Sequence, residues 1–187
     1  YIYEKSMNYE DLCNIISLKY IKAVIALEIG MENEADEVFN EAEELRKSFK
    51  IDNDQVYYYI LYYYKGKGNY EEVKKYANKI IELRNKEGWT YTYNKEWYTE
   101  VSIILASSYL KDGEIDKCIE IVNELNQEGR NATFHSKKYE IYNLYADICN
   151  YYGNIDEARE WLIKAYNEIK DTNLNKKKLT TVKEIID

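Results

Sequence analysis

The chain has 187 residues, a formal net charge of −8 and no proline. Hydrophobic residues make up 45% of it, and no apolar run approaches the roughly 20 residues of a membrane span, so its composition excludes disordered and membrane-spanning chains. The acidic balance repels phosphate backbones and excludes direct nucleic-acid contact by this segment. Cys13, Cys118 and Cys149 are far apart, which argues against disulfides and a zinc site and indicates a cytoplasmic location.

The predicted elements are all helices, because the strongest helix breaker is absent and only seven glycines punctuate the chain. Since the chain opens at Tyr1 and not at a methionine, we expect it to be a piece of a longer protein. In chain order, the apolar periodicity predicts helices at about 8–29, 33–48, 54–66, 70–87, 94–111, 115–128, 136–152, 155–170 and 176–186.

Four glycines divide these helices into a repeat. Gly30, Gly68, Gly113 and Gly153 each follow one apolar helical stretch and precede another, at separations of 38, 45 and 40 residues. Glycine suits the end of a first helix, because the chain needs a positive φ there to turn back. The short connections predict antiparallel helix pairs, so the chain is expected to be an array of helical hairpins.

Apolar residues recur at fixed positions around each glycine, which is position 15 of its repeat. Positions 8, 11, 17, 20, 24 and 27 carry apolar residues, with Glu32 at position 17 of the first repeat as the exception. One hairpin cannot bury such a stripe alone, so stacking must form the core. In the last repeat these positions hold Ala146, Cys149, Ile155, Ala158, Leu162 and Ala165.

This pattern resembles the tetratricopeptide repeat family, whose unit is a helix–turn–helix of about 34 residues. Two features depart from the family: its late proline is missing from every repeat, and 4, 11 and 6 extra residues separate successive repeats. The resemblance implies an all-α, right-handed superhelical solenoid of about four hairpins, forming one domain over residues 1–187. Its parts would be repeats at about 16–49, 54–87, 99–132 and 139–172, and a C-terminal capping helix at 175–187.

Enzyme signatures are absent from the sequence, including Gly-rich phosphate loops, nucleophile elbows and His-Glu-x-x-His. The single histidine, His135, stands in a polar stretch where a surface or helix-cap position explains it better than a general base. Cys118 and Cys149 fall on packing positions. Adjacent carboxylates such as Glu43 and Glu44 point about 100° apart on a helix and do not converge on one atom. We therefore predict a non-catalytic chain without a metal or a cofactor.

A binding surface remains as the candidate site. The resemblance implies that the first helix of each repeat lines a concave wall, with positions 2, 5, 9 and 12 facing the groove. Amide side chains there offer both donors and acceptors to a peptide backbone, and tyrosine adds flat area. Alternatively, these residue types are so frequent that chance places several there. The predicted peptide-binding groove consists of Gln55, Tyr58, Tyr62, Lys65, Glu100, Ile103, Ser107, Glu140, Asn143, Asp147 and Asn150.

In the first repeat the same positions are more apolar, and we expect a preceding segment to cover them. They hold Ser17, Tyr20, Val24 and Leu27.

Repeat length and composition together resemble the C-terminal, peptide-sensing region of bacterial helix-turn-helix transcriptional regulators. That resemblance implies an oligopeptide ligand in the concave groove. Because Glu100, Glu140 and Asp147 outnumber Lys65 there, a neutral or cationic peptide is expected. The alternative is a general protein–protein interaction scaffold that docks a partner helix and has no peptide ligand.

An aromatic insertion separates the second and third repeats. Residues 89–98 hold five rings in ten residues. The insertion is predicted either to plug the space between the two repeats or to contact a ligand or the second copy of a homodimer.

Overall fold

The computed structural model describes residues 8–86, 95–127 and 135–186, and within these ranges the regular secondary structure is helical. The predicted all-α class is confirmed, and each described helix lies within about two residues of its predicted bounds. The helices are α1 (Tyr9–Glu28), α2 (Glu32–Ser48), α3 (Asp54–Gly66), α4 (Tyr70–Lys86), α5 (Lys95–Lys111), α6 (Ile115–Gln127), α7 (His135–Tyr151), α8 (Ile155–Ile169) and α9 (Asn175–Ile186). None of them is both long and apolar enough to cross a bilayer.

The chain divides into two compact units, unit 1 (Tyr1–Trp89) and unit 2 (Thr90–Asp187). In unit 1, α1 pairs with α2 and α3 pairs with α4, and the two hairpins stack through α1 and α3. In unit 2, α5 pairs with α6 and α7 pairs with α8; α7 contacts both helices of the preceding hairpin, and α9 packs on α8. Residues 89–94, which form most of the aromatic insertion, lie outside the described residues, and so does the predicted plug or ligand contact that they would make.

Each hairpin turns at the glycine that the repeat predicted. The φ angles of Gly30, Gly68, Gly113 and Gly153 lie between 68° and 81°. At Gly113, the glycine N–H donates to the carbonyl of Leu110 and the next N–H, of Glu114, donates to the carbonyl of Tyr109. The other three turns repeat this pair of bonds. This is the Schellman arrangement, which satisfies the last carbonyl groups of the first helix and reverses the chain.

Positions 8, 20, 24 and 27 are buried in all four repeats, as the repeat pattern predicts. Alanine or cysteine occupies both positions 8 and 20 in three of the repeats, so the paired helices approach closely there. Position 17 differs: Ile115 is buried in the third repeat, whereas Ile155 is 58% exposed in the fourth. The first helix of the next hairpin, α7, contacts α6. After the fourth repeat, α9 packs through Ile185 on a cluster of buried residues that does not include Ile155. The prediction that Ile155 packs between hairpins is therefore wrong.

A partly buried ion pair connects α1 and α2 inside unit 1. The Tyr20 hydroxyl donates to Glu43 at 2.5 Å, and the Arg46 guanidinium donates to both Glu43 oxygens at 2.8 and 2.9 Å. Burial alone would raise the pKa of Glu43, but bonds from Arg46 and Tyr20 lower it below its ordinary value. Because both charges of the pair are largely shielded from water, losing one leaves the other uncompensated.

We expect Glu43→Gln to reduce the free energy of unfolding at pH 7 by about 2 to 3 kcal/mol, because Arg46 loses its counter-charge. Since the folded-state pKa of Glu43 is lowered, its contribution is present above the ordinary carboxyl value of 4.5 and is lost as the pH falls. Urea unfolding at pH 7 and pH 3 measures both effects. The exposed neighbour supplies the control, Glu44→Gln, which should change stability by no more than about 0.5 kcal/mol. Equal effects of the two variants would contradict the burial of the pair.

Lys50 ends α2 with the same turn that glycine makes elsewhere. Its φ is 52°, its N–H donates to the carbonyl of Lys47, and the Ile51 N–H donates to that of Arg46. A side chain in this conformation costs roughly 1–2 kcal/mol. Glycine removes that cost, but part of the gain is lost because glycine has greater conformational freedom in the unfolded chain. We expect Lys50→Gly to raise the free energy of unfolding by about 0.5–1 kcal/mol.

Lys47→Gly removes the same side chain from a helical position and should lower stability by about 1 kcal/mol. Urea denaturation followed by circular dichroism compares the two variants with the parent chain. If both glycines destabilise alike, Lys50 carries no backbone strain.

Candidate binding surface

Three of the predicted groove residues of unit 1 meet on one face of α3. The rings of Tyr58 and Tyr62 lie 4.9 Å apart between centroids, and their hydroxyl oxygens are 3.4 Å apart. The Lys65 ammonium lies 5.2 Å from the centre of the Tyr62 ring, in cation–π geometry. Gln55, one turn before Tyr58, is half-buried near the start of the helix. The structure thus forms a small aromatic surface with a cation at its end.

A cavity of about 270 Å³ lies between this face of α3 and α1. Its wall carries no charged side chain, and an apolar ligand group would replace water there without leaving a charge unpaired. The sequence identified part of this wall and missed Ile21, Ile25 and Tyr59. The lining residues are Ile21, Val24, Ile25, Tyr58, Tyr59 and Tyr62.

The repeat register placed Val24 of α1 correctly on this surface, but Ser17 and Tyr20, which it also assigned there, are buried. Tyr20 is fully buried, and its bond to Glu43 shows that α2 covers it, not a preceding segment. Ser17 is also buried, and its hydroxyl has no hydrogen-bond partner among the described residues. An isoleucine pair spaced by four residues, Ile21 and Ile25, was the available signal for the cavity wall.

In unit 2, two predicted groove carboxylates belong to an ion-pair network across three helices. The buried Lys137 ammonium lies 3.1 Å from a Glu100 oxygen on α5 and 4.0 Å from a Glu140 oxygen on α7. Lys177 on α9 lies 3.3 Å from the other Glu140 oxygen. These carboxylates therefore hold α5, α7 and α9 together, and they offer little net negative charge to a ligand.

The remaining predicted residues of unit 2 differ in how much surface they offer. Ile103 is only 6% exposed and packs into the core that α5, α6 and α7 share, so a ligand has little access to it. Ser107 is half-buried on α5, and Asn150 is exposed near the end of α7. Between them in the sequence, the Asn143 side-chain oxygen is buried without a hydrogen-bond partner among the described residues.

Asp147 is the predicted carboxylate that stays accessible on α7. Its side chain is accessible to water, but nearby protein atoms partly desolvate the carboxylate and so raise its pKa. The positive charge of Lys111 lowers the pKa and opposes this shift. Desolvation also raises the pKa of Glu184 on α9, and repulsion from Asp147 adds to that shift. The two carboxylates thus place like charges on facing helices.

Unit 2 holds two cysteines, Cys118 and Cys149, and both are buried. Burial raises the pKa of Cys118 to about 11, so its thiol stays protonated at neutral pH. Cys118 packs in the core of unit 2, as its repeat position predicts.

The helix α7 begins at His135, whose side chain lies outside the described residues.

We expect Asp147→Asn to raise the melting temperature at pH 7. Because the folded-state pKa of Asp147 is raised, the protonated carboxyl group favours the folded state. This stabilisation is complete below the ordinary pKa of 3.8 and is lost as the pH rises. The difference between variant and parent should therefore shrink as melts move from pH 7 to pH 3. Glu160→Gln, on the exposed side of α8, removes the same net charge and should leave the melting temperature unchanged. A neutral or destabilising Asp147→Asn at pH 7 would contradict the desolvation of the Asp147 carboxylate.

The comparisons with known proteins identify the hairpin that carries the aromatic surface. Residues 54–87, which contain α3 and α4, match the family model of the tetratricopeptide repeat. The matched span is the second predicted repeat. Neither the curated proteins nor the solved structures contain a match to the chain. Repeats of this family are typically non-catalytic modules of protein–protein interaction, and the match supports a tetratricopeptide repeat domain whose recognised repeat is the α3–α4 hairpin.

Proposed function

We propose that this domain binds a short peptide segment on its first-helix faces and serves as the peptide-sensing part of a bacterial transcriptional regulator. The observation that carries the peptide proposal is the cavity between α1 and α3, with its wall of tyrosine and isoleucine. Its volume of about 270 Å³ suits one or two large apolar side chains, and it is smaller than most sites for drug-sized ligands and cofactors.

Tyrosine at this surface favours peptide recognition for a physical reason. Tyr58 and Tyr62 hold each other in place, so binding orders few additional side-chain torsions. Their hydroxyl groups can also bond to a peptide backbone. In unit 2, the exposed amide group of Asn150 is a further group for such bonds. The regulatory role rests on the repeat style and composition, which resemble those of helix-turn-helix regulators.

Few charged groups of the domain determine which ligand charge would be complementary to it. Glu100 and Glu140 are paired within the chain, so Asp147 is the main accessible carboxylate among the predicted residues of unit 2. Lys65 adds one positive charge at the cavity in unit 1. A ligand anchored by apolar side chains, and neutral or weakly cationic, remains the best match.

Selection from a library of random ten-residue peptides displayed on phage tests the proposal. We expect enrichment of sequences with a bulky apolar residue. Tyr62→Ala should weaken a selected peptide about tenfold or more, because an aromatic anchor is lost. The control variant Ile163→Ala, which changes another exposed residue on α8, should bind as the parent does. Circular dichroism confirms that both variants fold.

The outcomes separate the two functions. Peptides that bind both variants equally would show that the cavity is not the site. Selected sequences that are amphipathic over two or more helical turns would favour the scaffold that docks a partner helix. In the complete reading frame, a basic helix-turn-helix segment upstream supports the regulator, whereas an unrelated domain there contradicts it.

A further inference from the structure

The first helix of unit 1 is apolar on two opposite faces. One face packs into the core through Cys13, Ile16, Tyr20 and Ala23, which are all buried. At about 100° per residue, a second set of apolar residues lies on the far side of α1. A helix that is hydrophobic all round is normally covered on both sides. The second set consists of Ile15, Leu18 and Ile25, together with Ile29 directly after the last residue of α1; they are 42%, 64%, 52% and 66% exposed.

The exposed set, here called the α1 stripe, has the spacing of a helix–helix seam. Ile15, Leu18, Lys22, Ile25 and Ile29 follow one another at intervals of 3, 4, 3 and 4 residues. That alternation is the a/d pattern of a heptad, in which apolar side chains insert between those of a facing helix. Four such side chains form an apolar patch of a few hundred Å², a size that is often functional on a monomer.

Lys22 occupies the central a position of the stripe and determines what can face it. Its ammonium lies 3.2 Å from a Glu34 oxygen on α2, in a solvent-exposed ion pair. Such a pair contributes little stability, so Lys22 can exchange Glu34 for a carboxylate of a partner at little cost. Two copies of the chain that overlapped their stripes fully, parallel or antiparallel, would bring both Lys22 ammonium groups together. A lysine at an a position is therefore a device against self-pairing, and a carboxylate on the facing helix matches it.

We propose that the α1 stripe docks one α-helix of a partner protein, which carries apolar residues at heptad spacing and an acidic side chain opposite Lys22. The stripe is separate from the peptide proposal, apart from Ile25, which also lines the cavity. Its specificity comes from one charge at the centre of an otherwise apolar seam. The same charge keeps this chain from pairing with itself.

Removal of the central charge gives the first test. The parent chain should be monomeric in sedimentation equilibrium at about 100 µM, whereas Lys22→Leu should dimerise. The double variant Lys22→Leu/Leu18→Glu should return to the monomer. Lys164→Leu, which adds an apolar residue to the exposed surface of α8, is the control and should stay monomeric. A parent chain that dimerises through the stripe, or a Lys22→Leu variant that stays monomeric, would overturn the proposal.

A designed helix tests the charge of the partner. The probe is a synthetic 21-residue peptide with leucine at a and d positions and glutamate at the central a position; its twin carries lysine there. Fluorescence anisotropy should show the glutamate peptide binding the parent chain about tenfold more tightly than its twin. The charge-reversed chain Lys22→Glu should prefer the lysine peptide. Equal binding of both peptides, or binding of neither, would count against the acidic partner helix.

Discussion

The structure depends on one constraint: a helical hairpin has an apolar face that it cannot cover by itself. Small residues let the two helices of a hairpin approach, as Ala23 and Ala35 do in unit 1, where both are fully buried. Larger side chains then extend beyond the hairpin and need a neighbouring one. In unit 2, Leu144 and Ile148 of α7 supply that cover for Ile103 and Val122 of the preceding hairpin. The buried positions recur because this requirement recurs in every repeat.

The same constraint explains what is exposed where a stack ends. After the last hairpin, α9 covers part of its apolar face: Thr181 bonds to the buried Tyr139, and Ile185 packs on the cluster around Leu162. Ile155 is not part of that cluster and stays exposed. On α1, no described residue covers the stripe centred on Lys22. An uncovered apolar face with heptad spacing differs from scattered exposed apolar residues, because its spacing matches that of a facing helix.

The sequence alone predicted the helices and turns well, because both have local causes. Glycine at a positive φ and apolar residues at helical spacing act within a few residues, and Gly153 and Ala158 could be placed from the pattern alone. The binding surface was predicted less completely, since it depends on contacts between helices. Nothing local to Glu140 indicates that Lys177, 37 residues later, neutralises it. Likewise, the repeat register could not indicate that Ile21 forms the cavity wall.

Charges that are paired within the chain affect ligand recognition less than charges that are accessible, and the two units differ in where such charges lie. Charges already matched within the chain, such as Glu100 with Lys137, fix helix positions and give a ligand little to discriminate. In unit 1 the cavity is uncharged, so affinity must come from apolar contact with Tyr58 and Tyr62. In the proposed function, Lys65 and Asp147, which lie in unit 1 and unit 2 respectively, would act on the ligand through the sign of its charge. Under the proposed function, a peptide would therefore be selected first by the shape of its apolar side chains and only then by its charge.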